Sequence, residues 1–253
     1  MSLYQRRHIT FYHKNKGKLM PKIKTVIFDL DDTLLNRRIM FQPFSKKFVQ
    51  YFFPSATDKE YKQIRKVLEK YDHGGFSARP QMFEPLYREL KTEKPPDKKL
   101  LQFWGENFPL NAMKARFPST ERTLLALKKR GFHLGIITNG DTALQNKKID
   151  NSNLRHFFEH ILISGDFPWQ KPDVKIFYAA LQKFDLSPKQ VIYIGDNLIN
   201  DIHGAHSCGI QTVWANYRKQ KNPTCFRPDY EIHVLEEILK LDLLQNRTMV
   251  ATS

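Results

Sequence analysis

Acidic and small polar residues recur at the ends of apolar runs. Asp29, Asp31, Asp32 and Thr33 follow Thr25-Val-Ile-Phe28. Thr138 and Asn139 follow His133-Leu-Gly-Ile-Ile137, and Gly195, Asp196 and Asp201 follow Val191-Ile-Tyr-Ile194. Asp29, Asp31 and Asp196 gathered in one place would repel one another unless a cation neutralised them. Hard carboxylate oxygens select Mg²⁺, which keeps waters and pairs with substrate phosphate. A carboxylate beside such an ion can attack phosphorus and become an acyl phosphate. A second carboxyl two residues on can protonate the leaving oxygen and then deprotonate the attacking water. Thr138, Asn139 and the N–H groups of their loop can donate to phosphate oxygens, and Lys171 can supply a fixed positive charge.

These residues must be carried to one place, and the hydrophobic pattern predicts how. Short β-branched runs at 25–28, 133–137, 161–163, 191–194 and 211–215 read as buried strands. Helical spacings lie between them: Leu124 and Leu127 after a Ser119 or Thr120 cap, and Val174, Phe177, Leu181 and Phe184 after an Asp173 cap. Strands alternating with helices predict an α/β fold, a Rossmann-like doubly wound parallel sheet, in which ligands bind outside the carboxyl ends of the strands. Between Phe41 and Phe108 the texture is helical throughout, with Tyr61, Ile64, Val67, Leu68 and Tyr71 in one run and Phe83, Leu86, Tyr87 and Leu90 in another. The expected organisation is a basic extension at 1–20, taken as disordered, with Met20 as a candidate start. A core at 21–36 and 112–253 would follow, interrupted by an inserted α-helical domain at 37–111.

The 253 residues carry a formal net charge of +15, unevenly spread. Residues 1–22 hold +6, residues 37–116 hold +8, and the remainder only +1. A near-neutral core argues against a nucleic-acid partner, so none is expected. No apolar run approaches the roughly 18 residues of a membrane-spanning helix, and no membrane partner is expected. The chain start lacks the apolar stretch of a signal peptide, and two cysteines, Cys208 and Cys225, make no disulfide framework; a cytoplasmic location is expected.

Phe28-Asp-Leu-Asp-Asp-Thr-Leu34, Ile137-Thr-Asn-Gly140, Gln170-Lys-Pro-Asp173 and Ile194-Gly-Asp-Asn-Leu-Ile-Asn-Asp-Ile202 together resemble the four ordered motifs of the haloacid-dehalogenase-like superfamily. The resemblance implies that Asp29 is the nucleophile and Asp31 the general acid/base. It implies Mg²⁺ bound by the Asp29 and Asp196 carboxylates and the Asp31 carbonyl, phosphate held by Thr138, Asn139 and Lys171, and support from Asp201. The 110 positions from Asp29 to Asn139 resemble members with a C1-type helical cap, and the 31 from Gly140 to Lys171 leave no room for a second cap. An acid at Asp31 favours phosphate-ester chemistry over dehalogenation, since an alcohol leaving group needs a proton. A phosphatase of a small phosphorylated metabolite is expected. A phosphomutase or phosphotransferase would use the same site, and a nucleic-acid-binding or scaffold protein retaining the fold is a third reading.

Residues outside these motifs have plainer expected roles. Asp141 and Asp166 read as turn or cap residues, His203 and His206 as surface, and Phe44, Phe48, Tyr51, Phe52 and Phe53 as the core of the insertion.

Overall fold

The computed structural model describes residues 22–75 and 79–245. The basic extension at 1–20 lies outside the described residues. Six strands form one parallel sheet: β1 (Thr25–Phe28), β2 (His133–Thr138), β3 (His160–Ile163), β4 (Val191–Gly195), β5 (Gln211–Ala215) and β6 (Tyr230–Ile232). Their order is β3-β2-β1-β4-β5-β6. Every pairing is parallel, and β1 sits between β2 and β4 with Phe28 opposite both Ile136 and Ile194. The order therefore reverses next to β1, which opens the crevice that ligands use in such sheets. β1 and β4 are buried along their whole length, as their unbroken apolar character requires of strands covered on both faces.

The chain divides into two compact units, one of residues 36–115 with 146–153 and one holding the rest. The helical unit contains α1 (Arg37–Phe52), α2 (Asp58–Asp72), α3 (Arg79–Leu90), α4 (Asp97–Asn107) and α5 (Ala112–Ala115). It is wider than the expected 37–111 because α5 packs on α1, and because Asn151 donates its amide to Pro109 O at 3.1 Å. Thr57 and Glu60 form a reciprocal capping box at the head of α2, and Ile64, Val67 and Leu68 turn its apolar stripe inward. Phe44, Phe48, Phe83, Trp104 and Phe108 are fully buried, with the Phe44 and Trp104 rings 4.3 Å apart. Tyr51 departs from its expected core role: it is 54% exposed and lies against Phe103 at the surface.

The sheet unit carries α6 (Thr120–Lys129), the start of α7 (Thr142–Asn151), α8 (Val174–Phe184), α9 (Gly204–Ser207) and α10 (Asp242–Gln245). Asp173 caps α8 by accepting from the Lys175 N–H, and Ile176, Phe177, Ala180 and Leu181 bury its inner face. The expected side-chain cap on α6 is absent. Ser119 makes no cap hydrogen bond, and the Thr120 hydroxyl instead donates to Leu34 O at 3.0 Å. No helix among the described residues is long and apolar enough to cross a membrane.

Candidate active site

A parallel sheet delivers the carboxyl ends of all its strands to one edge. Asp29 leaves β1, Thr138 ends β2, and Asp196 leaves β4. The Asp29 N–H donates to Ile194 O at 2.8 Å, so the β1–β4 pairing continues into the acidic turn and fixes the Asp29 backbone. After β4 the chain makes a π-helical turn, Leu198–His203, which returns Asp201 to the strand end. Gly195 permits that return: a Cβ there would overlap the Asp201 side chain.

Lys171 is the hub. Its side chain is buried, and Nζ donates to Asp29 Oδ1 at 2.6 Å, Asp201 Oδ1 at 2.7 Å and Ile137 O at 3.0 Å, with the Tyr193 hydroxyl also at 3.0 Å. Burial alone would favour the neutral amine. Asp201 and Asp29 outweigh it and hold the Lys171 pKa above its usual value, so the ammonium persists. For Asp29 the balance goes the other way. Burial is the largest effect, Lys171 opposes it, and repulsion from Asp201 and Asp31 adds to it, leaving the carboxyl at about 7. Burial and then the Asp29 and Asp201 charges push Asp196 well above the ordinary carboxylate range.

These raised values describe an acidic cluster short of positive charge. Asp29, Asp196 and Asp201 each place a carboxylate oxygen within 4.8 Å of the others. Asp201 is already committed, since Oδ1 accepts from Lys171 and Tyr193 and Oδ2 accepts from the Asn197 N–H at 3.0 Å. Asp29 and Asp196 are the carboxylates with capacity left, and an all-oxygen, doubly anionic donor pair fits a hard divalent cation.

The phosphate-contact candidates lie in the same unit. Thr138 is buried at the end of β2, and its Oγ1 accepts from Gln145 Nε2 at 2.5 Å. The Asn139 side chain is engaged by the Lys171 backbone. It donates to Lys171 O at 2.8 Å and accepts from the Lys171 N–H at 2.9 Å, a reciprocal pair that ties the β2 loop to the lysine turn. Asp31, partly exposed, contacts Gln145 Nε2 through Oδ2 at 3.4 Å, and Asp32 accepts from Arg218 at 3.1 Å. Asp141 accepts from the Leu144 N–H in the first turn of α7, and Asp166 from the Thr142 hydroxyl. His203 stacks on Phe226, and His206 is exposed.

Residues 26–215 match the family model of haloacid dehalogenase-like hydrolases. The chain belongs to this family. It is 32% identical to a glyceraldehyde 3-phosphate phosphatase of Pyrococcus furiosus over 88% of this chain and 92% of that one. It is also 32% identical to a phosphoserine phosphatase of Thermus thermophilus, over 51% of each chain. The magnesium-bound crystal structure of YfnB from Bacillus subtilis shares the fold, with a TM-score of 0.72 at 23% identity, covering 87% of this chain and 98% of that one. Membership in the haloacid dehalogenase-like family was legible in the four motifs. Two residues now seen at the site were not. Tyr193 lies within a strand, where it reads as one more apolar residue, and Gln145 lies in a helix, where a polar residue reads as solvent-facing.

Proposed function

We propose that this protein is a Mg²⁺-dependent phosphomonoester phosphatase working through an aspartyl-phosphate on Asp29. The observation that carries the reading is the Lys171 ammonium held between Asp29 and Asp201, with a second carboxyl, Asp31, two residues from the first. Asp29 attacks phosphorus while Asp31 donates its proton to the departing alkoxide oxygen. Asp31 then takes a proton from the water that attacks the acyl phosphate, releasing phosphate and restoring the Asp29 carboxylate. Lys171 offsets the charge on Asp29 and on the transferring group, and Asp201 with Tyr193 holds Lys171 in place. The Thr138 hydroxyl and the Asn139 N–H donate to phosphate oxygens, the Gly140 N–H being committed to Ser164 Oγ at 2.9 Å, while the Asn139 amide anchors the lysine turn. Mg²⁺, held by the Asp29 and Asp196 carboxylates and the Asp31 carbonyl, would neutralise phosphate charge as a Lewis acid.

The substrate is a small phosphorylated metabolite, in keeping with the names of the archaeal and Thermus relatives. The basic helical insertion acts as a C1-type cap, and its +8 favours a nucleotide or a substrate with a second anionic group. We place the reaction in the cytoplasm, where the buried Cys208 and the exposed Cys225 would stay as thiols. The test is phosphate release from a broad phosphomonoester panel with added Mg²⁺. Asp29→Asn is expected to lower kcat on the order of 10⁴-fold or more. Equal activity in the variant would end the reading.

A further inference from the structure

Gln145 is 2% exposed and belongs to none of the four motifs. Its Nε2 faces three oxygens: Thr138 Oγ1 at 2.5 Å, Asn139 O at 3.0 Å and Asp31 Oδ2 at 3.4 Å. A backbone carbonyl can only accept, and so can an ionised carboxylate. Those neighbours fix which way round the amide sits, with its nitrogen rather than its oxygen toward the site. An amide nitrogen donates and does not accept. Thr138 Oγ1 must therefore accept from Gln145, and the hydroxyl proton of Thr138 is turned away from it.

That orientation matters because Thr138 has one proton and stands in a cluster rich in acceptors. A hydroxyl with no donor on its lone pair can rotate its proton onto a neighbouring carbonyl or carboxylate, where it is lost to a phosphate oxygen. The Gln145 amide removes that choice. The backbone keeps the amide close: Gly140 has φ +144°, and a Cβ there would come within 3.1 Å of Gln145 Cγ.

We propose that Gln145 is a positioning residue for phosphate: it orients the Thr138 hydroxyl as a donor to a phosphoryl oxygen. The proposal rests on the reading of Thr138 as a phosphate contact.

The experiment measures binding of inorganic phosphate to the full chain with Mg²⁺ by titration calorimetry, so that the readout does not depend on turnover. Gln145→Met keeps the length and removes the donor. It is expected to weaken phosphate binding about tenfold, the effect of one hydrogen bond. Gln145→Glu, which offers the hydroxyl an acceptor, is expected to weaken it further. The deciding comparison is made in a Thr138→Val background. There the hydroxyl is gone, and Gln145→Met should change phosphate affinity less than about twofold. Wild-type affinity in Gln145→Met would overturn the proposal, and so would an equal tenfold loss in both backgrounds, which would mark Gln145 as a packing residue only. The double comparison holds even if Gln145→Met lowers the melting temperature, because both arms carry that loss. A wild-type chain that binds phosphate but shows no coupling would sink this proposal alone. One that neither binds phosphate nor hydrolyses phosphomonoesters would sink the phosphatase reading with it.

Discussion

Asp29 touches a lysine ammonium, yet its carboxyl sits at about 7 because burial and neighbouring acids outweigh that contact. A folded pKa above the ordinary 3.8 means that the metal-free folded protein holds a proton the unfolded chain releases. The associated stability is present below pH ~4 and is lost as pH rises toward about 7. A cation at the site competes with that proton, so Mg²⁺ should restore stability where the loss is greatest. Melting of the metal-free protein is expected to fall between about pH 5 and 7.5, and saturating Mg²⁺ should raise it by several degrees at the upper pH and much less at the lower. A melting temperature indifferent to both would contradict the account. Asp31 makes a separable prediction. Asp31→Asn should cost kcat roughly 10²–10⁴-fold on alkyl phosphates but far less on p-nitrophenyl phosphate, whose leaving group needs no proton. Equal losses on both substrates would remove Asp31 from the proton-transfer role.

At the scale of elements, the helical unit contains a buried ionic knot. Asp72, 2% exposed, accepts from Arg37 through both oxygens and from Arg79 at 2.8 Å. The Arg37 guanidinium lies 4.9 Å over the Phe108 ring, and Arg79 lies 4.3 Å over Trp104. Removing Asp72 takes away the buried acid that both guanidinium groups share beside these aromatic rings. Asp72→Asn is therefore expected to lower the unfolding free energy by about 3–5 kcal/mol, readable as a shift in the denaturant midpoint. Sequence patterning foresaw the helices that carry these residues but not the knot, because Arg37 and Asp72 are 35 positions apart and each looks solvated in its own helix. The same blindness hid Gln145 and Tyr193. Strands β1 to β5 were legible because each is a dense apolar run between turn residues. Edge strand β6 was not, since Tyr230-Glu-Ile232 is three residues long with only Ile232 fully buried. The Asp29, Asp31 and Asp196 turns stood out because one acid after a strand serves as a turn or cap residue, whereas three gathered at the ends of two strands exceed that need.

For the molecule as a whole, charge is concentrated in two stretches of sequence, residues 1–22 and 37–116. The +8 of residues 37–116 contrasts with the near-neutral sheet sequence. If the insertion attracts anionic substrate, kcat/KM should fall several-fold as ionic strength rises from about 0.02 to 0.3 M, with kcat little changed. Reversing several exposed lysines of α1, α2 and α4 should then raise KM and flatten that dependence. A rate constant insensitive to salt would leave the basic excess without a catalytic purpose.

The junction of the insertion has a consequence of another kind. The chain leaves the sheet unit after Leu35 and re-enters at Arg116, and those residues form an antiparallel bridge. On the helical side the Asn36 N–H donates to Ala115 O at 2.7 Å. Both ends are thus laced together as closely as the ends of a hairpin. To the sheet the entire stretch 36–115 is equivalent to a turn, and lengthening such a closed segment costs little entropy. Evolution could therefore replace one helical insertion with another without disturbing Asp29 or Lys171, refitting only the later half of α7. If the insertion selects the substrate, as proposed, substrate range becomes a heritable attachment, free to diverge while the chemistry stays fixed.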